Sequence, residues 1–360
     1  MDEGGALMRT IRNIMIIVLI AGAGLYFWNQ SEPDFKEQVK HEAVEKMNVL
    51  QSKVAPEQSV SNIPLEGDLY SWIGKSEEDL LEAMGEPERK DLSAYNYKWW
   101  VYTDHAAHYI QFGIEDHTVK TVYAVGEGLK IEPVAIGQAY DQLNDEFTFG
   151  DEVNYTKGIA SYTFKMTAED VAARPLVKLT DDIFLQLYFD TFTNELSSIR
   201  VMDADVLLRQ RPYEVTYRGT LPPEPDLTDA EWRQVEAGME HQIFDISNVL
   251  RNRFDKEALE WEDTVSEVAF NHSKDMFEQN YFSHYSLNGD GLKERLDVTG
   301  LFYIAAGENI AAQYPDAPAA VEGWLNSEGH REALLTDEYT HLGVGVYRLY
   351  YTQNFLAKPM

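Results

Sequence analysis

Hydrophobic and polar positions between residues 62 and 218 follow one pattern twice. Ile73-Gly74 followed by Leu80 corresponds to Ile136-Gly137 followed by Leu143, an offset of 136 − 73 = 63 residues. We predict a short helix at this place in each copy. The repetition indicates a tandem-repeat region built from two similar units.

Strand patterns follow the helix in both copies. Alternation with polar residues predicts one strand through Tyr95, Tyr97, Trp99 and Val101, and residues 162–164 take the corresponding place in the second copy. Continuous apolar runs predict two further strands in each copy, at 109–114, 119–125, 183–189 and 196–202. Each unit is therefore expected to contain one short helix and about three strands, and the pair to pack as one α+β body.

The pattern changes to helical spacing after residue 223. A proline-rich linker at 221–225 precedes Thr228 and Glu231, which have the spacing of a helix capping box. Apolar residues then recur every three or four positions, at Trp232, Val235, Met239, Ile243, Ile246 and Leu250. A second helix is predicted through Val265 to Met276, with His272 on its apolar face as a packed core histidine.

The chain begins with an apolar run at residues 14–28, preceded by Arg9 and Arg12. Two interpretations remain open. Small residues at 21–23 suit cleavage of a secretory signal, whereas the aromatic end at 25–28 suits an uncleaved signal anchor, which we favour. With a polar stalk after it, the expected organisation is 1–30 anchor or signal, 31–60 stalk, 61–222 repeat domain and 223–360 C-terminal domain.

Composition excludes several classes of function. Among 360 residues, 30 Lys and Arg stand against 61 Asp and Glu, giving a formal net charge of −31. So acidic a chain is not expected to bind nucleic acid, because phosphate neutralisation needs basic side chains. Cysteine is absent, which removes disulfides, thiol nucleophiles and thiolate zinc sites. Chemistry must therefore come from His, Asp, Glu, Ser, Thr, Tyr or Lys.

Two groups of histidines are candidates for that chemistry. His105, His108 and His117 could form a metal site, but we favour ordinary positions in surface loops and at strand ends. In the C-terminal third, polar residues cluster in predicted loops, in a Gly-Glu-Asn turn and at helix ends. They are His284, Glu308, Asn309, Ser327, His330 and His341.

Those C-terminal residues permit more than one function. Two imidazoles and a carboxylate suffice for an open metal site, or for general acid and base catalysis without a metal. Alternatively, Glu308 and Asn309 tie loops together through hydrogen bonds, and the histidines satisfy buried groups. Trp324 is expected in the core. We favour a cleft role for His284 and His330, since neither shows apolar periodicity.

Six ordered motifs in residues 234–356 closely resemble the CAP superfamily, which holds cysteine-rich secretory, antigen 5 and pathogenesis-related proteins. The bacterial branch shows N-x-x-R, HSxDM, NYFSH, GENI, W-x-x-S-x-GHR and THxGVG in this order. Here they stand at 248–251, 272–276, 280–284, 307–310, 324–331 and 340–345. The preceding repeat region resembles the CAP-associated N-terminal domain of Firmicute proteins of the YlbC type.

The resemblance implies an α-β-α sandwich with one open cleft, in which eukaryotic members hold a divalent cation with two His and two Glu. By motif, His284 and Glu308 match the first His and Glu. His330 matches the second His, with His341 as the second candidate. Ser327 stands where the second Glu is usual. The metal ligands implied are His284 and His330 with Glu308, for zinc or for calcium or magnesium.

Three classes of function follow. The first is a membrane-tethered or secreted extracytoplasmic protein whose cleft binds a small ligand, lipid, peptide or cell-wall fragment at the cell envelope. It would touch the membrane through residues 14–28 if these are not cleaved. The second is a hydrolase that uses His284, Glu308 and His330. The third is a non-catalytic envelope scaffold. We favour the first, without turnover.

Overall fold

The computed structural model describes residues 63–65 and 67–359. A 3₁₀ helix at Leu69–Trp72 comes first. The α-helices of the described residues are α1 (Glu77–Met84), α2 (Tyr140–Phe147), α3 (Ala168–Ala173), α4 (Ala204–Gln210), α5 (Asp229–Arg253), α6 (Asp263–Glu278), α7 (Leu292–Asp297), α8 (Ala317–Leu325) and α9 (Glu328–Leu335). The strands of the first half are β1 (Arg89–Leu92), β2 (Lys98–Thr103), β3 (Tyr109–Glu115), β4 (Thr118–Val125), β5 (Glu152–Lys157), β6 (Ala160–Lys165), β7 (Leu176–Lys178), β8 (Ile183–Asp190), β9 (Glu195–Asp203) and β10 (Glu214–Arg218). Those of the second half are β11 (Glu260–Trp261), β12 (Ala305–Ala312), β13 (His341–Tyr347) and β14 (Tyr350–Ala357).

A seven-stranded antiparallel sheet organises the N-terminal half (residues 67–218). Its order is β1-β2-β3-β4-β9-β8-β7, so the hairpins β3–β4 and β8–β9 meet at the centre. The strand predicted from Tyr95 to Val101 begins later than expected, at Lys98. Its first residues form a turn instead, because the Ser93 hydroxyl accepts hydrogen bonds from the amides of Tyr95 and Tyr97. Asn96, with φ of 68°, also interrupts the extended conformation.

The predicted match between residues 162–164 and the strand through Tyr95 to Val101 is wrong. The structure contains a separate three-stranded sheet in the order β10-β6-β5. Residues 162–164 lie in β6 and pair with β5 and β10, not with the seven-stranded sheet. The short strand β7 occupies that edge of the large sheet instead. Alternation of side chains predicted the strand correctly, but it carries no information about which sheet the strand joins.

The C-terminal half (residues 229–359) has three layers. Its central sheet has the order β11-β13-β14-β12, which leaves β12 at an open edge. Helix α6 packs on one face so closely that a Cβ at Gly345 would lie 1.8 Å from the Phe270 nitrogen. Helix α7 lies against β12, while α5, α8 and α9 form the opposite group. This arrangement agrees with the α-β-α sandwich implied by the motifs.

The capping box predicted at Thr228 is present. The Thr228 hydroxyl accepts from the Glu231 amide, and the Glu231 carboxylate accepts from the Thr228 amide, so α5 begins at Asp229. Most of the apolar face predicted for this helix is buried; Trp232 is only partly covered.

One hydrophobic core extends across both halves. It includes Trp99 and Phe184 from the large sheet and Ile243 and Trp324 from α5 and α8. A second core covers the other face of the large sheet, under α1, α2 and the 3₁₀ helix. A buried ion pair also links the halves, because Arg200 Nη2 on β9 lies 2.8 Å from Asp316 Oδ1 at the N-cap of α8. All described residues belong to one compact unit.

No helix within residues 63–65 and 67–359 is long and apolar enough to cross a membrane. The signal or anchor predicted at 1–30 and the stalk predicted at 31–60 lie outside the described residues.

Candidate functional site

The open edge of β12 is the centre of the candidate site. Glu308 and Asn309, predicted in a turn, lie in the middle of this strand instead, paired with Asn354 and Gln353 of β14. Because successive side chains of a strand point to opposite faces, these two residues serve different sides of the sheet. Glu308 meets His284 and Arg295, whereas the Asn309 amide donates to the His330 carbonyl.

The first wall of the site, here the His284 wall, comprises residues 282–304. His284 Nδ1 lies 2.9 Å from Glu308 Oε1, and Arg295 Nη2 donates to Glu308 Oε2 over 2.6 Å. Arg295 also donates to the carbonyls of His284 and Asp290 at 3.1 Å. The Glu308 side chain is 4% exposed and that of His284 47%, so a buried carboxylate holds a ring that faces solvent.

The second wall, here the His330 wall, is the segment 326–331, which comprises the two residues between α8 and α9 and the first turn of α9. Ser327 is the N-cap of α9, and its Oγ lies 2.9 Å from His330 Nδ1. Burial lowers the pKa of His330 below its ordinary value, and the neighbouring His284 lowers it further. At neutral pH His330 is therefore uncharged and able to accept a hydrogen bond.

The rings of His284 and His330 are neighbours, and His330 lines a cleft. Their ring centroids are 6.4 Å apart, and the cleft has a volume of about 470 Å³. Its lining combines aromatic side chains, the small residues of β12 and two polar groups from the His330 wall. The lining residues are Phe282, Ile310, Ala311, Ala312, Gln313, Tyr314, Gly323, Trp324, Ser327, His330 and Tyr350. Trp324 is also buried as predicted, and its Nε1 donates to the Ile310 carbonyl over 3.0 Å.

The remaining histidine candidates lie elsewhere. His341 does not join the cleft: it lies on β13, beyond β14, and contacts Thr340 Oγ1 at 2.8 Å and Glu260 at 3.5 Å. His272 is a core residue as predicted, and its Nε2 lies 3.0 Å from the Ser283 carbonyl oxygen.

The histidines of the N-terminal half each contact different acidic groups. His105 lies near Glu88, His108 is fully buried against Asp104, and His117 contacts Glu77. They do not converge on one point.

The donor set of the cleft only partly suits the implied cation. Nε2 of both His284 and His330 is without a hydrogen-bond partner in the described part of the chain, so two imidazole nitrogens are open. Glu308, however, has both oxygens engaged, and the Arg295 guanidinium beside it would repel a cation. Among residues 63–65 and 67–359, no three His, Asp or Glu side chains are grouped to hold a metal ion. The side chains of the described part of the chain therefore do not supply a three-ligand site.

Arg295 is the site residue that sequence reasoning missed. It lies in α7 and reaches Glu308, 13 positions later in the chain, through a contact between two elements. No periodicity or spacing near Arg295 in the sequence signals that contact. An arginine is, however, a reasonable partner to look for when a lone carboxylate stands among small residues.

Two known families match the chain in the same order as its two halves. Residues 73–213 match the family described as CAP-associated N-terminal, and residues 244–357 match the cysteine-rich secretory protein family, or CAP. A Bacillus subtilis (strain 168) protein, described as uncharacterized membrane protein YlbC, is 42% identical over 352 residues, which are 97% of this chain and 99% of that protein. The chain therefore belongs to the CAP family and carries the CAP-associated N-terminal region. The resemblance inferred from the motifs is confirmed.

Further relatives agree with this assignment. The uncharacterized protein YkwD of Bacillus subtilis (strain 168) is 34% identical over 121 residues, 33% of this chain and 47% of that protein. Among solved structures, an extracellular protein containing an SCP domain from Bacillus anthracis str. Ames has 42% identity and a TM-score of 0.78, covering 85% of this chain and all of that one. A cysteine-rich secretory protein from Staphylococcus aureus, with 24% identity and a TM-score of 0.73, covers 84% of this chain and 97% of that one and shows the same fold.

Proposed function

We propose that the protein is an extracytoplasmic CAP-domain protein that binds a small ligand between His284 and His330. The observation that carries this proposal is the pair of imidazole rings with open Nε2 atoms, whose centroids are 6.4 Å apart and of which His330 lines a cleft of about 470 Å³. Binding sites for small molecules commonly have this size and combine apolar walls with a few polar groups.

The lining favours a ligand of mixed polarity. Aromatic side chains such as Phe282 and Tyr350 offer apolar surface, while Ser327 and neutral His330 offer hydrogen bonds. A short peptide, including a fragment of cell-wall peptide, has both features. The net charge of −31 disfavours anionic wall polymers, because like charges repel unless cations bridge them.

Thermal unfolding with a panel of probes tests this function. The probes are zinc, calcium and magnesium ions, soluble cell-wall peptide fragments and short-chain phospholipid. A ligand that binds only the folded chain stabilises it by about 2.7 kcal/mol at one hundred times its dissociation constant. We expect a probe to raise the midpoint of the native chain but not that of the His284→Ala/His330→Ala double variant.

His341→Ala is the matched control, because it removes an imidazole that lies outside the cleft. It should keep the response of the native chain. If no probe distinguishes the native chain from the double variant, ligand binding by these histidines is wrong. A zinc response restricted to the intact pair would support the cation implied by the family, with water or the ligand completing its coordination.

A hydrolase is the second candidate, favoured by the contact between Ser327 Oγ and His330 Nδ1 at 2.9 Å. A catalytic serine also needs a base oriented by a third group, and no carboxylate contacts His330 in the described residues. We therefore propose binding without turnover. Loss of wall-peptide substrate that stops in both Ser327→Ala and His330→Ala would contradict this.

We further propose that residues 1–30 anchor the chain to the cell membrane, with the described residues outside. The apolar run at 14–28 and the name of the YlbC relative as a membrane protein support anchoring. Fractionation of cells expressing the chain with a C-terminal tag tests it. Full-length protein in the membrane fraction is expected, whereas a shortened protein in the medium would show cleavage and secretion.

We also propose that the N-terminal half contains two copies of one unit. The Gly74 amide donates to the Val119 carbonyl over 2.9 Å, and the Gly137 amide donates to the Leu196 carbonyl over 2.8 Å. Both glycines have positive φ, 88° and 87°. Gly74→Ala and Gly137→Ala should therefore destabilise the chain by similar amounts, about 1 kcal/mol each in urea unfolding. A cost at one position alone would argue against equivalence.

A further inference from the structure

The N-terminal half contacts the His330 wall at its first residue. Asn326 Oδ1 accepts hydrogen bonds from the Thr191 amide at 2.7 Å and from the Thr191 hydroxyl at 2.8 Å. Asn326 Nδ2 donates to the Phe189 carbonyl at 2.9 Å. Both polar atoms of this side chain therefore contact residues at or just after the end of β8, more than 130 positions earlier in the chain, and Nδ2 also donates to the Glu322 carbonyl at 3.2 Å.

A buried ion pair holds the other end of the same segment. Arg331 Nη2 lies 2.8 Å from Asp190 Oδ2, and Arg331 Nη1 donates to the Leu325 carbonyl. The guanidinium also lies 4.8 Å from the ring of Phe192 and 4.7 Å from that of Phe254. Asp190 is fully buried, and its second oxygen accepts from the Phe192 amide at 2.9 Å. One carboxylate thus fixes its own turn and the arginine of the other half together.

Ser327 and His330 lie between these two attachments. Their side chains are joined by the 2.9 Å hydrogen bond, and the His330 carbonyl accepts from Asn309 of β12 at 3.0 Å. The segment is therefore fixed at both ends by the N-terminal half and at its middle by the open edge of the C-terminal sheet. The His284 wall is held differently, through Arg295 and Glu308 of the C-terminal half.

We propose that residues 189–191 of the N-terminal half position the His330 wall, so that the CAP-associated region serves as the support that sets the geometry of the cleft. This rests on the proposed binding function, since the cleft matters only if it binds a ligand. Asp190 and Thr191 are positioning residues: they touch Arg331 and Asn326, which flank His330, and not the cleft itself.

The test uses the full chain with Asp190→Asn and, separately, Thr191→Val. Asparagine keeps the oxygen that accepts from Phe192 and removes the charge that pairs with Arg331. The first readout is the position of the His330 imidazole signal in spectra of the chain labelled with ¹³C at histidine. The second is hydrogen exchange of the 326–331 amides. Neither readout requires a ligand.

We expect the His330 signal to move or broaden in both variants while the His341 signal stays in place. Amide exchange in 326–331 should become about tenfold faster, as local opening becomes easier. Glu195→Gln is the matched control: it alters the same hairpin, where Glu195 pairs with Arg253 at 3.2 Å, without touching the segment. It should leave both readouts unchanged.

Val122→Ala separates positioning from general stability. Val122 is buried in the second core, so its truncation lowers the stability of the N-terminal half without altering residues 189–191. If Asp190→Asn lowers the unfolding midpoint as Val122→Ala does and leaves the His330 signal in place, the contact is only structural and the proposal is overturned. If the signal moves but no probe binds the native chain, positioning stands and the binding function fails.

Discussion

The two walls of the cleft differ in how they are held. The His330 wall is attached to the N-terminal half through the buried carboxylate of Asp190 and through the exposed Thr191. The His284 wall depends on Arg295, and its outer surface is apolar and open. Of the ten exposed large hydrophobic side chains in the described residues, six lie within the His284 wall: Phe282, Tyr285, Leu287, Val298, Phe302 and Ile304.

This difference predicts how far each part of the cleft can move. Buried hydrogen-bonded charges confine a segment to one conformation, because any other arrangement leaves a charge without a partner. Exposed loops with few buried contacts open at lower free energy and adapt more readily. Each wall contains one such buried pair, Arg331 with Asp190 and Arg295 with Glu308. We therefore infer that both histidines keep a fixed geometry and that the exposed apolar part of the His284 wall adjusts to what enters the cleft.

The largest expected effect comes from breaking the buried ion pair that joins the two halves at the start of α8, the helix that precedes the His330 wall. Asp316→Asn keeps an oxygen to cap the helix but leaves Arg200 as a buried charge without a counter-charge. Removing one partner of such a pair costs about 3 kcal/mol or more. Urea unfolding of this variant beside Asp205→Asn, which alters the exposed pair with Lys157, measures it. Equal costs for the two variants would contradict the importance of the buried pair.

The second effect is a pH dependence of the stability of the chain, which arises where α8 contacts the N-terminal half. Glu322 of α8 is buried and accepts from Ser198 Oγ at 2.5 Å and Ser197 Oγ at 3.1 Å. Burial raises its pKa from 4.5 to about 7, so the folded chain retains this proton where the unfolded chain has lost it. The associated stability is complete below pH 4.5 and is lost as the pH rises to about 7 and above. The loss corresponds to about 3 kcal/mol.

Glu322→Gln tests whether stability falls as the pH rises, because glutamine cannot ionise. Relative to the native chain, the variant should gain stability between pH 5 and pH 8 in unfolding measured at both values. Glu328→Gln is the control, since Glu328 is exposed on α9 and should show no such change. A constant difference between variant and native chain across this range would mean that Glu322 is ionised in the folded state.

The third effect concerns the His284 wall alone. Arg295→Gln removes the charge that binds Glu308 and weakens the bonds to the carbonyls of His284 and Asp290. We expect a loss of about 2 kcal/mol, since a buried carboxylate loses a charged donor. Hydrogen exchange should accelerate in residues 283–290 and stay unchanged in 326–331. Equal acceleration in both segments would show that the walls are not independent.

The smallest effect is expected on the outer surface of the same wall. Phe302 is 75% exposed, so Phe302→Ser should change the free energy of unfolding by less than about 0.5 kcal/mol. Its neighbour Tyr303 is partly buried against the cluster around Leu296, so Tyr303→Ser should cost more. A large cost for Phe302→Ser would show that the outer surface is packed in solution.

Local signals in the sequence predicted local structure well. Apolar runs located β3, β4, β8 and β9 to within one residue at each end, because continuous burial on both faces of a central sheet leaves an unmistakable run. The capping box located the start of α5 in the same way. These features depend on neighbours in the chain, which is the information that a sequence pattern contains.

Long-range pairing explains what the sequence patterns missed. The segment Ala305–Ala312 is rich in alanine and looked like a turn, yet it is a strand because β14 supplies its partners. The pair Arg200–Asp316 joins residues 116 positions apart, and no periodicity reports such a contact. For the site, likeness to a family grouped His284, Glu308 and His330, whereas Arg295 and the attachment of Arg331 to Asp190 required coordinates.

The connection between β10 and α5, at residues 219–228, is exposed at Pro223, Glu224 and Asp226, and this has a practical consequence. The halves that it joins share one hydrophobic core and a buried ion pair, so their association does not depend on the peptide bonds of the connection. A protease that cuts there would therefore leave two fragments bound as a heterodimer, indistinguishable from the intact chain by size under native conditions. The chain could also be expressed as two separate pieces and reassembled by mixing.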